Sequence, residues 1–160
     1  MSNAPGTEIS LERSVPLNAD AILPLLCEQL EALEAESARD RLELSAGVPG
    51  SGTLSVPIAL QVTYPAPHLG HFRMRITPSA RHALYPDFSG ALDMVGTGLA
   101  EARLRLSGTY HAPFSILGQL ADRTLLHGIA EGSLAGFLDR LAASVLAEVE
   151  RRAMERYRDR

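Results

Sequence analysis

What most constrains this chain is the order of its periodicities. One short stretch alternates polar and apolar residues, a helical stripe follows, five more alternating stretches come next, and a single long helical stripe closes the chain. Alternation at a period of two puts the apolar side chains of a strand on one face, and a sheet with one apolar face must cover it. The closing helix is the cover. The expected architecture is α+β: a curved antiparallel sheet wrapped around a long C-terminal helix, with apolar space shared between them.

The first alternation runs from Glu8 to Val15, with Ile9 and Leu11 on one face. Asn18 or Asp20 can then cap a helix to about Ser37, striped by Ile22, Leu23, Leu26, Leu30 and Leu33. Pro24 falls inside it, which favours two short helices over one. From Arg41 to Ala46 and from Thr53 to Tyr64 the period is two, and Gly47, Pro49, Gly50 and Gly52 make the turn between them. His71 to Thr77, Phe88 to Val95 and Glu101 to Tyr110 complete the strands, the middle one weakened by Asp93. The last helix is expected over about 115–156, striped by Ile129, Leu134, Phe137, Leu138, Leu141, Val145, Leu146 and Val149.

Energetics decide which strand face is inside. Burying an unpaired guanidinium costs several kcal/mol, whereas a buried Leu or Phe contributes about 1.5–3 kcal/mol. Arg73, Arg75, Arg103 and Arg105 must therefore face outward, and Asp93 is placed to pair across strands with Arg103 or Arg105. The residues predicted to line a ligand-binding cavity are Leu60, Val62, Phe72, Met74, Phe88, Leu92, Leu104, Leu106 and Tyr110 from the sheet, with Ile129 and Phe137 from the helix.

Composition removes several classes of function. With 46% hydrophobic residues in 160 and no run of about twenty apolar residues, the chain predicts one soluble domain over 1–160, flexible at about 1–7 and 157–160, without a membrane span. Met1 to Thr7 has neither the positive cluster nor the apolar core of a secretory signal, which predicts a cytoplasmic protein. All fifteen basic residues are Arg, so no lysine chemistry is available. A net charge of −4 offers no general attraction to nucleic acid, and the arginines at 151, 152, 156, 158 and 160 read as a solvated helix end. Cys27 is the single cysteine and reads as an inert thiol in an apolar run. The exposed edges of an open sheet motivate a homodimer as a further expectation.

Gly128, Gly132 and Gly136 recur every four residues along the closing helix, each costing up to about 1 kcal/mol relative to Ala. Close approach of helix to sheet is the favoured explanation, and a bend in the helix or room for a ligand the alternative. His111, Asp122 and His127 cluster at the strand-to-helix junction, with Glu131 one turn after His127. Such groups can ligate zinc, but capping and surface roles account for them better, and no metal or other cofactor is expected. Tyr64, Tyr85 and Tyr110 offer an apolar body with one hydrogen-bonding tip, which suits ligand contact as well as structure. The segment from Pro78 to Asp87, with Arg81, His82 and Tyr85, is placed to border a cavity mouth or to form an ordinary surface turn.

The run Leu104 to Leu141, LRLSGTYHAPFSILGQLADRTLLHGIAEGSLAGFLDRL, resembles the last strand and closing helix of the START-like superfamily, also called SRPBCC or Bet v 1-like. The resemblance rests on the strand ending Gly108-Thr109-Tyr110, the Pro113/Gly118 turn, Asp122 and the apolar helix, and on the element order of the whole chain. It implies a helix-grip fold with a cavity between sheet and helix. It further implies binding of a small hydrophobic or aromatic molecule, or, as the alternative, an enzyme of cyclase, dehydratase or hydrolase type; a scaffold with a filled core is the third reading. No catalytic motif of the enzymatic subfamilies is present, so the resemblance carries over no catalytic residue.

Overall fold

The computed structural model describes residues 6–48, 50, 52–79, 86–111 and 123–159, Arg123 by its backbone alone. Its elements follow the periodicities: β1 (Thr7–Val15), α1 (Ala19–Ala38), β2 (Glu43–Val48), β3 (Gly52–Ala66), a 3-10 turn (Pro67–Leu69), β4 (His71–Pro78), β5 (Asp87–Gly98), β6 (Glu101–His111) and α2 (Arg123–Arg158). The six strands form one antiparallel sheet in the order β1-β6-β5-β4-β3-β2. The curled sheet and the long C-terminal helix make a helix-grip α+β fold.

Helix α1 starts where the Asn18 side chain accepts the Asp20 N–H at 2.8 Å. It is one helix, not two. Pro24 removes the bond to the Asp20 carbonyl and crowds that turn, at a cost of about 3 kcal/mol. Burial of Ile22, Leu25, Leu26 and Leu30, each contributing about 1.5–3 kcal/mol, outweighs it.

The same helix completes the sheet. Strand β2 pairs with β3 as far as Glu43 opposite Pro57, the Leu42 carbonyl just before it accepts the Ile58 N–H at 2.9 Å, and past Ile58 the edge of β3 is left to α1. There the Leu60 N–H is accepted by Ser37 Oγ at 3.1 Å, and the Val62 N–H by the Glu34 carboxylate at 2.6 Å. Two side chains of α1 thus satisfy the ladder that β2 leaves unpaired.

The inner face carries Ile58, Leu60, Val62, Phe72, Met74, Ile76, Phe88, Leu92, Leu104, Leu106 and Tyr110, all buried, against Ile129, Leu134, Phe137, Leu138 and Leu141 of α2. Arg73, Arg75, Arg103 and Arg105 all point to solvent, as the desolvation argument requires. The expected pairing of Asp93 with an arginine is not what forms. Asp93 Oδ1 meets His71 Nδ1 at 2.5 Å, its directly opposed neighbour on β4. Arg103 and Arg105 turn the other way, to Glu12 of β1, at 3.6 and 2.6 Å. A central strand has two neighbours: Asp93 stands opposite both His71 and Arg105, Arg105 stands opposite both Asp93 and Glu12, and Glu12 is the carboxylate that holds the arginine.

Helix α2 crosses the open side of the curl. No helix among the described residues is long and apolar enough to cross a membrane. Near its C-terminus Arg152 joins Glu28 of α1 at 2.5 Å and Glu148 of its own helix at 2.7 Å. Arg151 pairs with Glu148 and Glu155, so these two arginines of the basic end are already engaged.

Candidate functional site

Three inward pairs on β5 and β6 stand in register: Phe88 opposite Tyr110, Gly90 opposite Gly108, and Leu92 opposite Leu106. The glycine pair is there because nothing larger fits. A Cβ on Gly90 would lie 2.2 Å from the Ser107 carbonyl oxygen and 2.7 Å from the Phe88 ring. One on Gly108 would lie 2.4 Å from the Ser89 oxygen and 3.0 Å from the same ring. Phe88 therefore lies down over bare backbone, using the room that the two absent side chains leave.

Across from this ladder α2 presents Ala130 and Ser133, both buried, where its later turns present Phe137, Leu138 and Leu141. The small residues leave a void of about 10 Å³ bounded by Ile76, Pro86, Phe88, Tyr110, Ala130, Ser133 and Leu134. That is room for about one water molecule. Ser133 turns its hydroxyl back onto the Ile129 carbonyl at 2.7 Å, so its proton is used within the helix.

Tyr110 is the polar group of this space. Its hydroxyl is 3.0 Å from His127 Nδ1 on the first turns of α2, and the two rings tilt at 43° with centroids 5.8 Å apart. On the far side of the imidazole, Nε2 is 3.4 Å from Glu131 Oε2, one helical turn on. The carboxylate is an acceptor only, so its charge favours a proton on Nε2, the tautomer in which Nδ1 accepts from the phenol. A strand residue and two helix residues thereby form one chain of polar groups running from the interior to the surface.

The eleven candidate cavity-lining residues are all buried: Leu60, Val62, Phe72, Met74, Phe88, Leu92, Leu104, Leu106, Tyr110, Ile129 and Phe137. Of these, Phe88 and Tyr110 border the void. Ile76, Ala130, Ser133 and Leu134 border it too and were not among the residues predicted to line it. Ile76 and Leu134 carried the periodicity that would have found them. Ala130 and Ser133 did not, because a small residue signals nothing until its opposite number is known.

The glycines of α2 do not enlarge this space. Gly128, Gly132 and Gly136 are all exposed, and Gly132 and Gly136 lie on the side of the helix that runs beside β2. A Cβ would stand 3.8 Å from Ala46 Cβ at Gly132, 4.0 Å from the Ser45 oxygen at Gly136, and in open space at Gly128. The ligand-room reading of these three is therefore overturned. Helix and edge strand do come close at Gly132 and Gly136, within ordinary contact distance.

Tyr64 belongs to a different structural unit. Its hydroxyl donates to Glu34 Oε2 at 3.4 Å and its ring meets Phe72 edge-on at 5.7 Å. Burial first, and then the Glu34 and Glu31 carboxylates, push its phenol up to about 12. Burial and the nearby Glu31 also push the Cys27 thiol up, the opposite of what a nucleophilic cysteine needs. Among the described residues no three or more His, Cys, Asp or Glu side chains come together as a metal site. Arg81, His82, Tyr85, Pro113, Gly118 and Asp122 lie outside the described residues.

No protein-family model matches the chain, and no curated protein matches it. Solved structures do. The protein TTHA0849 from Thermus thermophilus matches with a TM-score of 0.59 at 19% identity, over 89% of this chain and 99% of its own. Ara h 8.0201 matches with a TM-score of 0.58 at 12% identity, over 89% and 99%. Norcoclaurine synthase from Thalictrum flavum, solved in complex with dopamine and hydroxybenzaldehyde, matches with a TM-score of 0.51 at 17% identity, over 91% and 89%. At these identities the likeness shows the fold alone, the helix-grip arrangement of a curled sheet and a long C-terminal helix.

Proposed function

We propose that this protein binds a small hydrophobic or aromatic molecule between the sheet and α2, at the end of the helix marked by Ala130 and Ser133. The observation that carries the reading is the gradient of side-chain size along α2. Ala130 and Ser133 face Phe88 and Tyr110 across a void of about 10 Å³, which a ligand must widen by displacing the side chains around it, while Phe137, Leu138 and Leu141 fill the opposite end of the same groove. An apolar wall with one converging phenol is the composition of a small-molecule site. The structural likeness to a synthase solved with two aromatic molecules supports the same reading. The reading takes residues 1–160 as one domain acting in the cytoplasm.

The test is native mass spectrometry of the protein purified from its own host, followed by extraction and identification of what it retains. A stoichiometric apolar compound released on denaturation, and displaced by naphthalene in a titration, is the expected result. A ligand-free protein that takes up no naphthalene would overturn the proposal and favour a scaffold with a filled core.

A second reading has one observation behind it. The Tyr110–His127–Glu131 chain has the order of an acid/base unit, a phenol backed by an imidazole backed by a carboxylate. On that reading the same space holds the substrate of a cyclase, dehydratase or hydrolase. Its test is turnover of the retained compound, expected to fall in Tyr110→Phe and His127→Gln alike; unaltered compound after prolonged incubation would exclude it.

A further inference from the structure

The phenol that meets the ligand space is not a free donor. Tyr110 is 5% exposed, borders the void, and has its hydroxyl 3.0 Å from His127 Nδ1. The Glu131 carboxylate, 3.4 Å from Nε2, favours by its charge a proton on that nitrogen, the tautomer whose Nδ1 accepts. The proton of the phenol is therefore spent on His127, and what Tyr110 offers the adjoining space is an oxygen lone pair. We propose that Tyr110 is the recognition point of the site and that, polarised in this way by His127 and Glu131, it selects apolar ligands that carry a hydroxyl. A hydroxyl can donate to the Tyr110 oxygen, whereas an ether or ketone of the same shape brings a second acceptor to a lone pair and leaves both unsatisfied. The walls around it, Phe88, Ile76, Ala130 and Leu134, supply shape and apolar contact but cannot tell these ligands apart.

The three residues have separate parts. Tyr110 touches the ligand. His127 is a positioning residue that takes the phenol's proton, and Glu131 is a positioning residue whose charge favours the accepting tautomer. Removing His127 should not merely weaken recognition. It frees the Tyr110 O–H to donate, so the preference should turn toward a ligand that accepts.

This rests on the binding site proposed above, and the experiment separates the two. Three naphthalenes of closely similar size serve as probes: 2-naphthol, 2-methoxynaphthalene and 2-acetylnaphthalene. Affinities are measured by fluorescence titration of the full chain at mildly alkaline pH, for the unaltered protein, Tyr110→Phe and His127→Leu, with circular dichroism confirming that each variant is folded. One hydrogen bond gained or lost predicts a preference for 2-naphthol over 2-methoxynaphthalene of about fivefold in the unaltered protein. That ratio should fall to about one in Tyr110→Phe, and in His127→Leu 2-acetylnaphthalene should overtake 2-naphthol. Equal affinities for all three probes, unchanged by either substitution, would overturn the selection by Tyr110 while leaving the binding site standing. Failure of every probe to bind would overturn the site itself and this inference with it.

Discussion

Arg13 on the edge strand β1 forms an ion pair with Asp139 of α2, and the next helix residue, Arg140, reaches the Glu43 carbonyl of β2 at 3.4 Å. The two strands are opposite edges of the sheet. One turn of helix therefore holds both rims of the curl, with Phe137, Leu138 and Leu141 of the same stretch packed into the interior between them.

Both contacts are exposed to water, so each alone is worth little, about 0.2–1 kcal/mol. Their effect should appear locally instead. Asp139→Ala is expected to lower global stability by less than about 1 kcal/mol while speeding hydrogen exchange in β1, and Arg140→Ala should do the same in β2. Exchange rates unchanged in both edges, read by mass spectrometry, would show that apolar packing holds the rims without these charges.

The glycines divide into two kinds, with opposite predicted signs. Ala at Gly108 must push aside backbone atoms 2.4 and 2.5 Å away, which shifts the β5–β6 pairing; by analogy with overpacked cores the cost is about 1–3 kcal/mol or more. Ala at Gly128 meets nothing within 4 Å and gains helix propensity, so it should stabilise by about 0.5–1 kcal/mol. Thermal denaturation of the two variants checks both, and a destabilised Gly128→Ala would mean that this face of α2 has a partner.

How much of this was legible beforehand follows from the range of each interaction. Strand periodicity at Phe72, Met74, Leu104 and Leu106 reports burial directly, so the apolar face and the outward arginines could be read from spacing. Partners across the sheet could not. Register puts Asp93 opposite both His71 and Arg105, and Arg105 opposite Glu12 as well, so which pair forms depends on a third strand that the alternation of β5 does not report. The direction of the Gly128–Gly136 stripe was hidden for the same reason: three glycines mark a helix face without saying whether water or sheet lies beyond it. Tyr110 and His127 were each singled out, but their contact depends on how a strand and a helix seventeen residues apart come together.

Tyr64 predicts an alkaline limb. Its phenol is raised to about 12 in the folded protein against 10 in the unfolded chain, so between these values the native state holds the proton more tightly. Unfolding then releases protons, and the stabilisation present below pH 10 is lost as pH rises through the folded value. Denaturant midpoints across this window should fall less steeply for Tyr64→Phe than for the unaltered protein. Parallel curves for the two would locate the alkaline sensitivity elsewhere.

Cys27 should behave as packing rather than as a reagent. With its thiol raised by burial and by Glu31, little thiolate is present in the native state. Reaction with an aromatic disulfide near neutral pH is expected to be slower in the folded protein than in denaturant, followed by the colour of the released thiolate. A folded rate equal to the unfolded one would remove the burial argument.

The ring of Phe88 is the side chain whose removal should open the site. It lies over Gly90 and Gly108, so truncation to Ala exposes a floor of backbone where any other strand pair would supply two Cβ atoms. The loss should be large, about 3–5 kcal/mol, because the bare glycines cannot collapse into the gap. An apolar cavity of this kind stays dry and accepts an aromatic guest, and a guest that binds the folded state alone restores stability in proportion to the logarithm of its concentration. Saturating naphthalene should therefore raise the Tm of Phe88→Ala by several degrees more than that of the unaltered protein. An equal shift in both would mean that the ligand enters somewhere other than the space between Phe88 and α2.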